Sequence, residues 1–233
     1  MSTPARSTPR PEPSSPLADE TRYVPDHLVE ALTVTDPDLI RSLKAEREAS
    51  GLDRRDEMWE GVYVMSPLAN LEHQWFAGRF WLVFYTVIDS ADLGITYNGF
   101  NLSDRDEGWL QNYREPDVGV YLAGNPARDC GTHMCGGPDF AIEILSPNDP
   151  ARRKRDFYAA IGTKELLIFD RDPWAFELYR LADDRLDLVG ISTPNDSYVL
   201  VSQSLPLTFR LVPGDPRPTI EVARSEGGQT WRI

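Results

Sequence analysis

The chain has 233 residues, of which 41% are hydrophobic, 10% aromatic and 26% charged. These values are typical of a soluble globular protein with a full core, and no uninterrupted apolar run approaches the length that spans a bilayer. The formal net charge of −13 argues against a surface that attracts nucleic acid everywhere, although it is compatible with a local basic patch.

The N-terminal residues differ in composition from the rest of the chain. Residues 1–24 are rich in Pro and Ser and show no hydrophobic period, which predicts a disordered tail ahead of a single domain at residues 25–233. Residues 1–16 also lack the apolar stretch of a secretory signal, so we expect a cytoplasmic protein without a membrane segment.

The first elements are two helices separated by a strand. Asp36 is placed to cap a helix over residues 39–49 that ends before Gly51, and residues 58–65 have the pattern of a strand. A second helix is expected at residues 72–88, where Phe76 and Phe80 belong to an apolar stripe with helical spacing. His73 lies on this stripe; the pattern favours a core histidine, and a supporting role near a site is the alternative.

The second half of the chain reads mostly as strands around one further helix. Strands are predicted at residues 95–100, 118–122 and 140–145. A helix is predicted at residues 149–161, with Pro150 in its first turn and Gly162 ending it. A strand pair follows at residues 166–169 and 176–181, joined by a turn at 170–174. Further strands are expected at residues 186–189, 198–201 and 207–211.

Two carboxylates stand at positions where an unpaired charge is costly. Asp117 follows a proline at the mouth of an apolar strand, and Glu143 lies inside another, between Ile142 and Ile144. A buried charge needs a partner, such as a metal ion or a cationic side chain. We therefore expect the two carboxylates to converge on one cation, although Asp117 taken alone could serve a turn or a cap.

Lys154 supplies a second, independent indication. At about 100° per residue, Lys154 is centred on the inward stripe of its helix with Phe157, Tyr158 and Ile161, so its ammonium group is directed toward the carboxylates. The alternatives are that Lys154 extends past Tyr158 to solvent or forms an inert buried ion pair with Glu143. The three arginines of the same run point away from the stripe: Arg152, Arg153 and Arg155.

This set of residue types fits phosphodiester hydrolysis. Mg²⁺ or Mn²⁺ would take oxygen ligands from Asp117, Glu143 and the main-chain carbonyl of Ile144. Lys154 would orient or deprotonate the attacking water and offset negative charge in the transition state. The neighbouring arginines would bind backbone phosphates.

The same residues match a known pattern. Pro116-Asp117, then Glu143 in an apolar strand and then a lysine resemble the PD-(D/E)xK nuclease superfamily. More narrowly, the runs at residues 138–147, 154–162 and 165–170 resemble the Uma-type restriction endonuclease family, with similarity over residues 59–181. This resemblance implies a restriction-endonuclease-like α/β core with a mixed central sheet flanked by helices, and extra C-terminal strands are expected beside it.

The resemblance also carries residue roles. It implies that Asp117 and Glu143 are the metal ligands. The superfamily pattern expects lysine where Leu145 stands, whereas the Uma-type family carries it on the following helix, at the place of Lys154. Glu60 and His73 match further places in that family, and with Tyr158 they are candidate supporting residues.

The resulting expectation is a Mg²⁺-dependent or Mn²⁺-dependent endonuclease acting on DNA, and analogy with restriction enzymes adds dimerisation. The competing hypothesis is a catalytically inactive scaffold or interaction protein that keeps the fold. A zinc module on Cys130, His133 and Cys135 ranks last, because this loop offers three ligands where structural zinc prefers four; otherwise it is a surface loop with reduced thiols.

Overall fold

The computed structural model describes residues 32–66, 70–146 and 150–233; the tail predicted at residues 1–24 and the first residue of the helix predicted at 149–161 lie outside these ranges. The helices are α1 (Pro37–Ser50), α2 (Leu71–Val87) and α3 (Arg155–Ala160). The strands of the first half are β1 (Leu32–Val34), β2 (Glu57–Trp59), β3 (Val62–Met65), β4 (Gly94–Asn98), β5 (Leu102–Ser103), β6 (Tyr113–Arg114), β7 (Val118–Leu122), β8 (Arg128–Asp129), β9 (Met134–Cys135) and β10 (Phe140–Ile144). Those of the second half are β11 (Glu165–Arg171), β12 (Trp174–Ala182), β13 (Arg185–Ser192), β14 (Leu200–Val201), β15 (Leu207–Val212), β16 (Thr219–Arg224) and β17 (Thr230–Arg232).

The centre of the fold is a six-stranded mixed sheet in the order β13-β12-β11-β10-β7-β4. Strands β10 and β11 pair in parallel and their neighbours pair antiparallel. A parallel pair needs a crossover connection, and here a 3-10 helix at Pro150–Lys154 followed by α3 supplies it. All five residues of β10 are buried, as expected for a strand covered on both faces. The predicted mixed central sheet is confirmed.

Different layers cover the two faces of this sheet. One face packs against α2 and the four-stranded antiparallel sheet β14-β15-β16-β17, where Phe209 stacks on Phe140 with ring centroids 5.4 Å apart. The other face packs against α3, and Tyr158 is fully buried there. The predicted extra C-terminal strands are therefore part of the main core. The same sheet also contains β16 and β17, which the sequence pattern did not predict.

Seven short strands, in the order β1-β3-β2-β6-β5-β9-β8, form a further sheet, which we call the N-terminal sheet. Here the prediction of a single strand over residues 58–65 is wrong. The chain reverses between β2 and β3 at Glu60 and Gly61, whose φ angles are 47° and 82°. Two successive positive φ values are typical of the two-residue turns that fit the twist of a hairpin. Glu60 hid the turn, because a glutamate rarely adopts this conformation.

Several helix ends follow their predicted signals. The Asp36 carboxylate accepts hydrogen bonds from the amides of Asp38 and Leu39 at 3.0 and 2.9 Å, and Gly51 and Gly162 both adopt positive φ after their helices. The helix predicted at 149–161 is divided, because its first turn is 3-10 rather than α. The strand predicted at 198–201 is shorter, with bounds Leu200–Val201. Within the described ranges, no helix combines the length and apolarity needed to cross a bilayer.

Candidate active site

The register of the central sheet sets the two predicted carboxylates opposite each other. Strand β7 pairs antiparallel with β10 so that Val118 faces Ile142, and one step further this register places Asp117 opposite Glu143. Residues directly opposite on antiparallel strands have Cβ atoms about 5 Å apart on one face of the sheet. Both side chains are buried, at 3% and 4% exposure, and the register brings them to one face of the sheet; their convergence on one cation stays a prediction.

Asp117 is held by three donors from separate parts of the chain. Its Oδ2 accepts the Ile144 amide at 2.8 Å and lies 3.3 Å from His73 Nε2, and its Oδ1 accepts Arg55 Nη1 at 2.9 Å. Burial by itself raises the pKa of a carboxylate, but His73 and Arg55 outweigh that effect at Asp117, whose pKa is lowered. The charged form of Asp117 is therefore favoured.

His73 is positioned by the start of α2. The His73 amide donates a hydrogen bond to Asn70 Oδ1 at 2.8 Å, so Asn70 is the N-cap of α2. This contact fixes the first turn, from which the ring points toward Asp117. The ring is buried, and its Nδ1 has no hydrogen-bond partner within the described residues. A satisfied core histidine was the favoured interpretation, and the ring is buried with its Nε2 beside Asp117. The role of His73 as a supporting residue stays a prediction.

Glu143 lies in a cluster of mixed charge on the α3 side of the sheet. Tyr158 donates its hydroxyl to Glu143 Oε1 at 2.5 Å, and Lys154 Nζ lies 3.1 and 3.2 Å from the two carboxylate oxygens. Burial is the main cause that raises the pKa of Glu143 to about 8, and the negative charges of Glu57 and Asp117 add to it. Lys154 and Tyr158 act in the opposite direction. The negative charge of Glu143 is thus less well stabilised than that of Asp117.

Lys154 ends the 3-10 helix that precedes α3, and its side chain points inward as the helical arithmetic predicts. Its side chain is 8% exposed and its Nζ also donates to Glu57 Oε1 at 2.7 Å. Lys154 thereby contacts Glu143 from the helix, whereas the superfamily pattern places the lysine on the strand itself, at the position of Leu145. It lies between two carboxylates, of which only Glu143 was predicted.

Glu57 and Arg55 are the site residues that sequence reasoning missed. Glu57 is buried and is oriented by the Trp59 indole N–H at 2.7 Å and by the Glu115 amide at 2.9 Å. Arg55 lies 3.6 Å from Glu115, whose pKa is raised to about 7, mainly by burial. Glu57 is the first residue of a strand and precedes the apolar Met58. A carboxylate in an apolar strand is the same signal that marked Glu143. Nothing local distinguishes Arg55 from other exposed-looking arginines.

Glu60 lies apart from the carboxylates. As a turn residue its side chain is 68% exposed, and it accepts hydrogen bonds from Arg105 at 2.7 Å and Asn112 at 3.0 Å. It therefore stabilises the N-terminal sheet, and its supporting role in the site stays a prediction without a direct contact.

The arginines beside Lys154 differ in how far they are engaged. Arg152 forms ion pairs with Asp170 at 2.7 Å and Glu177 at 2.5 Å, so its charge is already matched. Arg155 donates through Nε to the main-chain carbonyl of Arg152 at 3.0 Å. Arg153 is exposed. Of the three, Arg153 is the most accessible to a phosphate group.

The donor set fits a hard divalent cation. Each carboxylate oxygen has two lone pairs, and among described donors Asp117 Oδ1 and Glu143 Oε2 each accept one hydrogen bond, which leaves an acceptor position on each. Ile144 adjoins Asp117 through its amide, and the role of its carbonyl stays a prediction. Within the described part of the chain, four neighbouring carboxylates face three cationic side chains. The carboxylates are Glu57, Glu115, Asp117 and Glu143; the cations are Arg55, Arg114 and Lys154.

Comparison with known proteins identifies the family. A family model with the description "Uma2: Putative restriction endonuclease" matches residues 46–225 of the 233. The chain belongs to the Uma2 family. The resemblance over residues 59–181 is thereby confirmed and extended, since the match also includes the end of α1 and most of the C-terminal sheet. A search of curated proteins found no match for this Uma2 chain.

A solved structure supports the fold independently. The crystal structure of "a putative nuclease belonging to DUF820 from Anabaena variabilis" aligns with a TM-score of 0.52 and 18% identity, over 64% of this chain and 83% of that chain. At this identity the likeness concerns the fold alone. It confirms the predicted restriction-endonuclease-like α/β core of this Uma2 protein.

Proposed function

We propose that this Uma2 protein is a divalent-metal-dependent nuclease that hydrolyses phosphodiester bonds within DNA. The observation that carries the proposal is the convergence of Asp117, Glu143 and Lys154 at one end of the central sheet, all three at least nine-tenths buried. Nuclease action is also what the family description and the name of the similar structure support.

The metal requirement follows from the donor set. Asp117 and Glu143, with the main-chain carbonyl of Ile144, would hold Mg²⁺ or Mn²⁺ through oxygen atoms. When bound, the ion would lower the pKa of a water molecule and stabilise charge on the phosphate. The excess of carboxylates over cations around the site favours such binding.

The protein's own groups orient the reaction. Glu57 and Glu143 fix the ammonium group of Lys154, which is then able to position a water molecule and to stabilise negative charge on a phosphate oxygen. Tyr158 orients Glu143, while His73 and Arg55 orient Asp117. Because these groups are largely withdrawn from water, their electrostatic interactions are stronger than at an exposed site.

Substrate binding would use positive charge near the same helix. Arg153 is the accessible member of the arginine run, and Arg152 and Arg155 would contribute only after their present contacts rearrange. The net charge of −13 restricts attraction of DNA to such a local patch.

The test is a cleavage assay on supercoiled plasmid, single-stranded DNA and RNA with Mg²⁺ or Mn²⁺. Asp117→Asn and Glu143→Gln are expected to lose activity by a factor of about 100 or more, because each removes a metal ligand charge. Lys154→Met is expected to lose rate while metal binding persists. Lys44→Met serves as the control, since Lys44 lies beside the Tyr63 ring of the N-terminal sheet.

The outcomes separate the hypotheses. Cleavage that survives all three substitutions would refute this site, and no cleavage with either metal would favour the inactive scaffold. Preferential cleavage of RNA would refute the DNA substrate. Linear plasmid formed without a nicked intermediate, together with a dimeric mass in light scattering, would support paired subunits.

A further inference from the structure

A second group of ligand-type side chains lies outside the nuclease site. It joins the loop between β5 and β6, which carries Asp106, to the hairpin of β8 and β9, whose turn carries Cys130 and His133. One carboxylate oxygen, the thiol sulfur and one imidazole nitrogen all lie within 4.8 Å of one another. Among the described residues, this is the group of three or more such side chains that could hold one metal ion.

His133 is held in one orientation and one tautomer by its neighbours. Its buried ring stacks on Trp109 with centroids 4.6 Å apart and an interplanar angle of 18°. Its Nε2 lies 3.0 Å from the main-chain carbonyl of Arg105, and since a carbonyl only accepts, Nε2 carries the hydrogen. Nδ1 therefore carries the lone pair, and it accepts the Thr132 hydroxyl at 3.1 Å, a contact that a metal ion would replace. Metal-binding histidines typically donate their second nitrogen to such a partner.

Cys130 and Asp106 are also fixed from outside the group. The Cys130 amide donates to the His133 carbonyl at 3.0 Å, which closes the hairpin turn and keeps the two side chains together. Arg128 donates to Asp106 Oδ2 at 2.9 Å, which leaves the other carboxylate oxygen to a ligand. Cys130 is a free, half-buried cysteine rather than part of a disulfide.

We propose that Asp106, Cys130 and His133 bind one zinc ion, separately from the nuclease metal. A thiolate and an imidazole select a borderline-soft ion such as Zn²⁺ over Mg²⁺, and the carboxylate completes three protein ligands, with water in the fourth position. Binding forms a zinc–sulfur bond as the thiol proton of Cys130 leaves to solvent. The ligand set differs from the sequence-based trio, because Asp106 takes the place of Cys135.

This site would add a metal link between two segments that already pair through β5 and β9. The strands on either side, β5, β6, β8 and β9, have two residues each, so zinc would stabilise the N-terminal sheet rather than act on substrate. Its loss should therefore lower thermal stability and leave the ion requirement of DNA cleavage unchanged.

The experiment uses the full chain stripped with EDTA and titrated with Co²⁺, followed by displacement with Zn²⁺. We expect a near-ultraviolet absorption band from thiolate-to-cobalt charge transfer, which reports the thiolate site and not the nuclease site. Cys130→Ser should abolish the band, His133→Asn and Asp106→Asn should weaken binding, and Cys135→Ser is the matched control that should retain it. Zinc should raise the melting temperature of wild type but not of Cys130→Ser.

Three results would overturn the proposal. These are the absence of a thiolate band, zinc uptake that is unchanged in Cys130→Ser, and loss of the band in Cys135→Ser to the same extent as in Cys130→Ser. Metal-free melting of each variant shows whether it folds, so a folded His133→Asn that binds normally also contradicts the ligand set. None of these outcomes depends on nuclease activity.

Discussion

Replacement of Lys154 by methionine is the sharpest test of the charge arrangement. Methionine keeps most of the apolar stem and removes the ammonium group, which lies 2.7 Å from Glu57 Oε1 and 3.1 Å from Glu143 Oε1. The lysine side chain is only 8% exposed, so solvent screens these contacts weakly. Removing one partner of a buried ion pair typically costs about 3–5 kcal/mol. We expect the free energy of unfolding to fall by an amount in this range.

The assay is guanidinium unfolding followed by tryptophan fluorescence and circular dichroism, in EDTA so that no divalent cation adds stability to the native state. Lys44→Met is the matched control and should cost less than about 1 kcal/mol, because Lys44 makes a partly exposed contact with an aromatic ring.

A double variant tests the mechanism of the loss. Glu143→Gln combined with Lys154→Met should be more stable than the sum of the single effects by at least about 1 kcal/mol, since the uncompensated charge is removed with its partner. If Lys154→Met costs no more than the Lys44→Met control, or if the two effects simply add, then Lys154 does not balance the buried carboxylates and its role in the site is refuted.

Three further predictions concern stability. Burial raises the pKa of Glu177, but hydrogen bonding, chiefly to Arg152, outweighs this effect, so the pKa is lowered. The pair therefore stabilises the fold fully above the unfolded pKa of 4.5. This contribution is lost as the pH falls through the lower pKa of the folded state. In urea unfolding, Arg152→Met should therefore lose less of its free energy of unfolding than wild type as the pH falls. An unchanged dependence of that free energy on pH would contradict this prediction. Gly78→Ala should stabilise α2 by about 0.5–1 kcal/mol, because no heavy atom beyond the neighbouring residues and the nearby backbone of α2 lies within 4 Å of the added methyl. Gly137→Ala should destabilise the protein, because its methyl would meet the backbone nitrogen of Thr163 at 2.3 Å. Melting temperatures equal to that of the wild type would refute both predictions. Phe209→Ala should cost about 3–5 kcal/mol with a single unfolding transition, and a separate early transition would show that the C-terminal sheet unfolds by itself.

Local signals predicted a large part of the fold. The cap at Asp36, the glycines that end α1 and α3, and the aromatic stripe of α2 all act within a few residues, so the sequence contains the information directly. The hairpin at Glu60 and the two-residue strands of the N-terminal sheet were missed. The hairpin was missed because Glu60 is an unusual residue for its turn. The two-residue strands are too short to show a period, and some of them pair with distant segments, as β5 does with β9.

The amino-acid sequence by itself determined which side chains would have to be compensated. Glu143 in an apolar strand and Lys154 on the inward stripe of a helix are local patterns, because burial follows from strand and helix periodicity. Only the tertiary structure decided what compensates them. Glu57 reaches Lys154 across 97 positions of sequence, and Arg55 reaches Asp117 across 62. Such contacts depend on how the two sheets pack, and no periodicity along the chain encodes that packing.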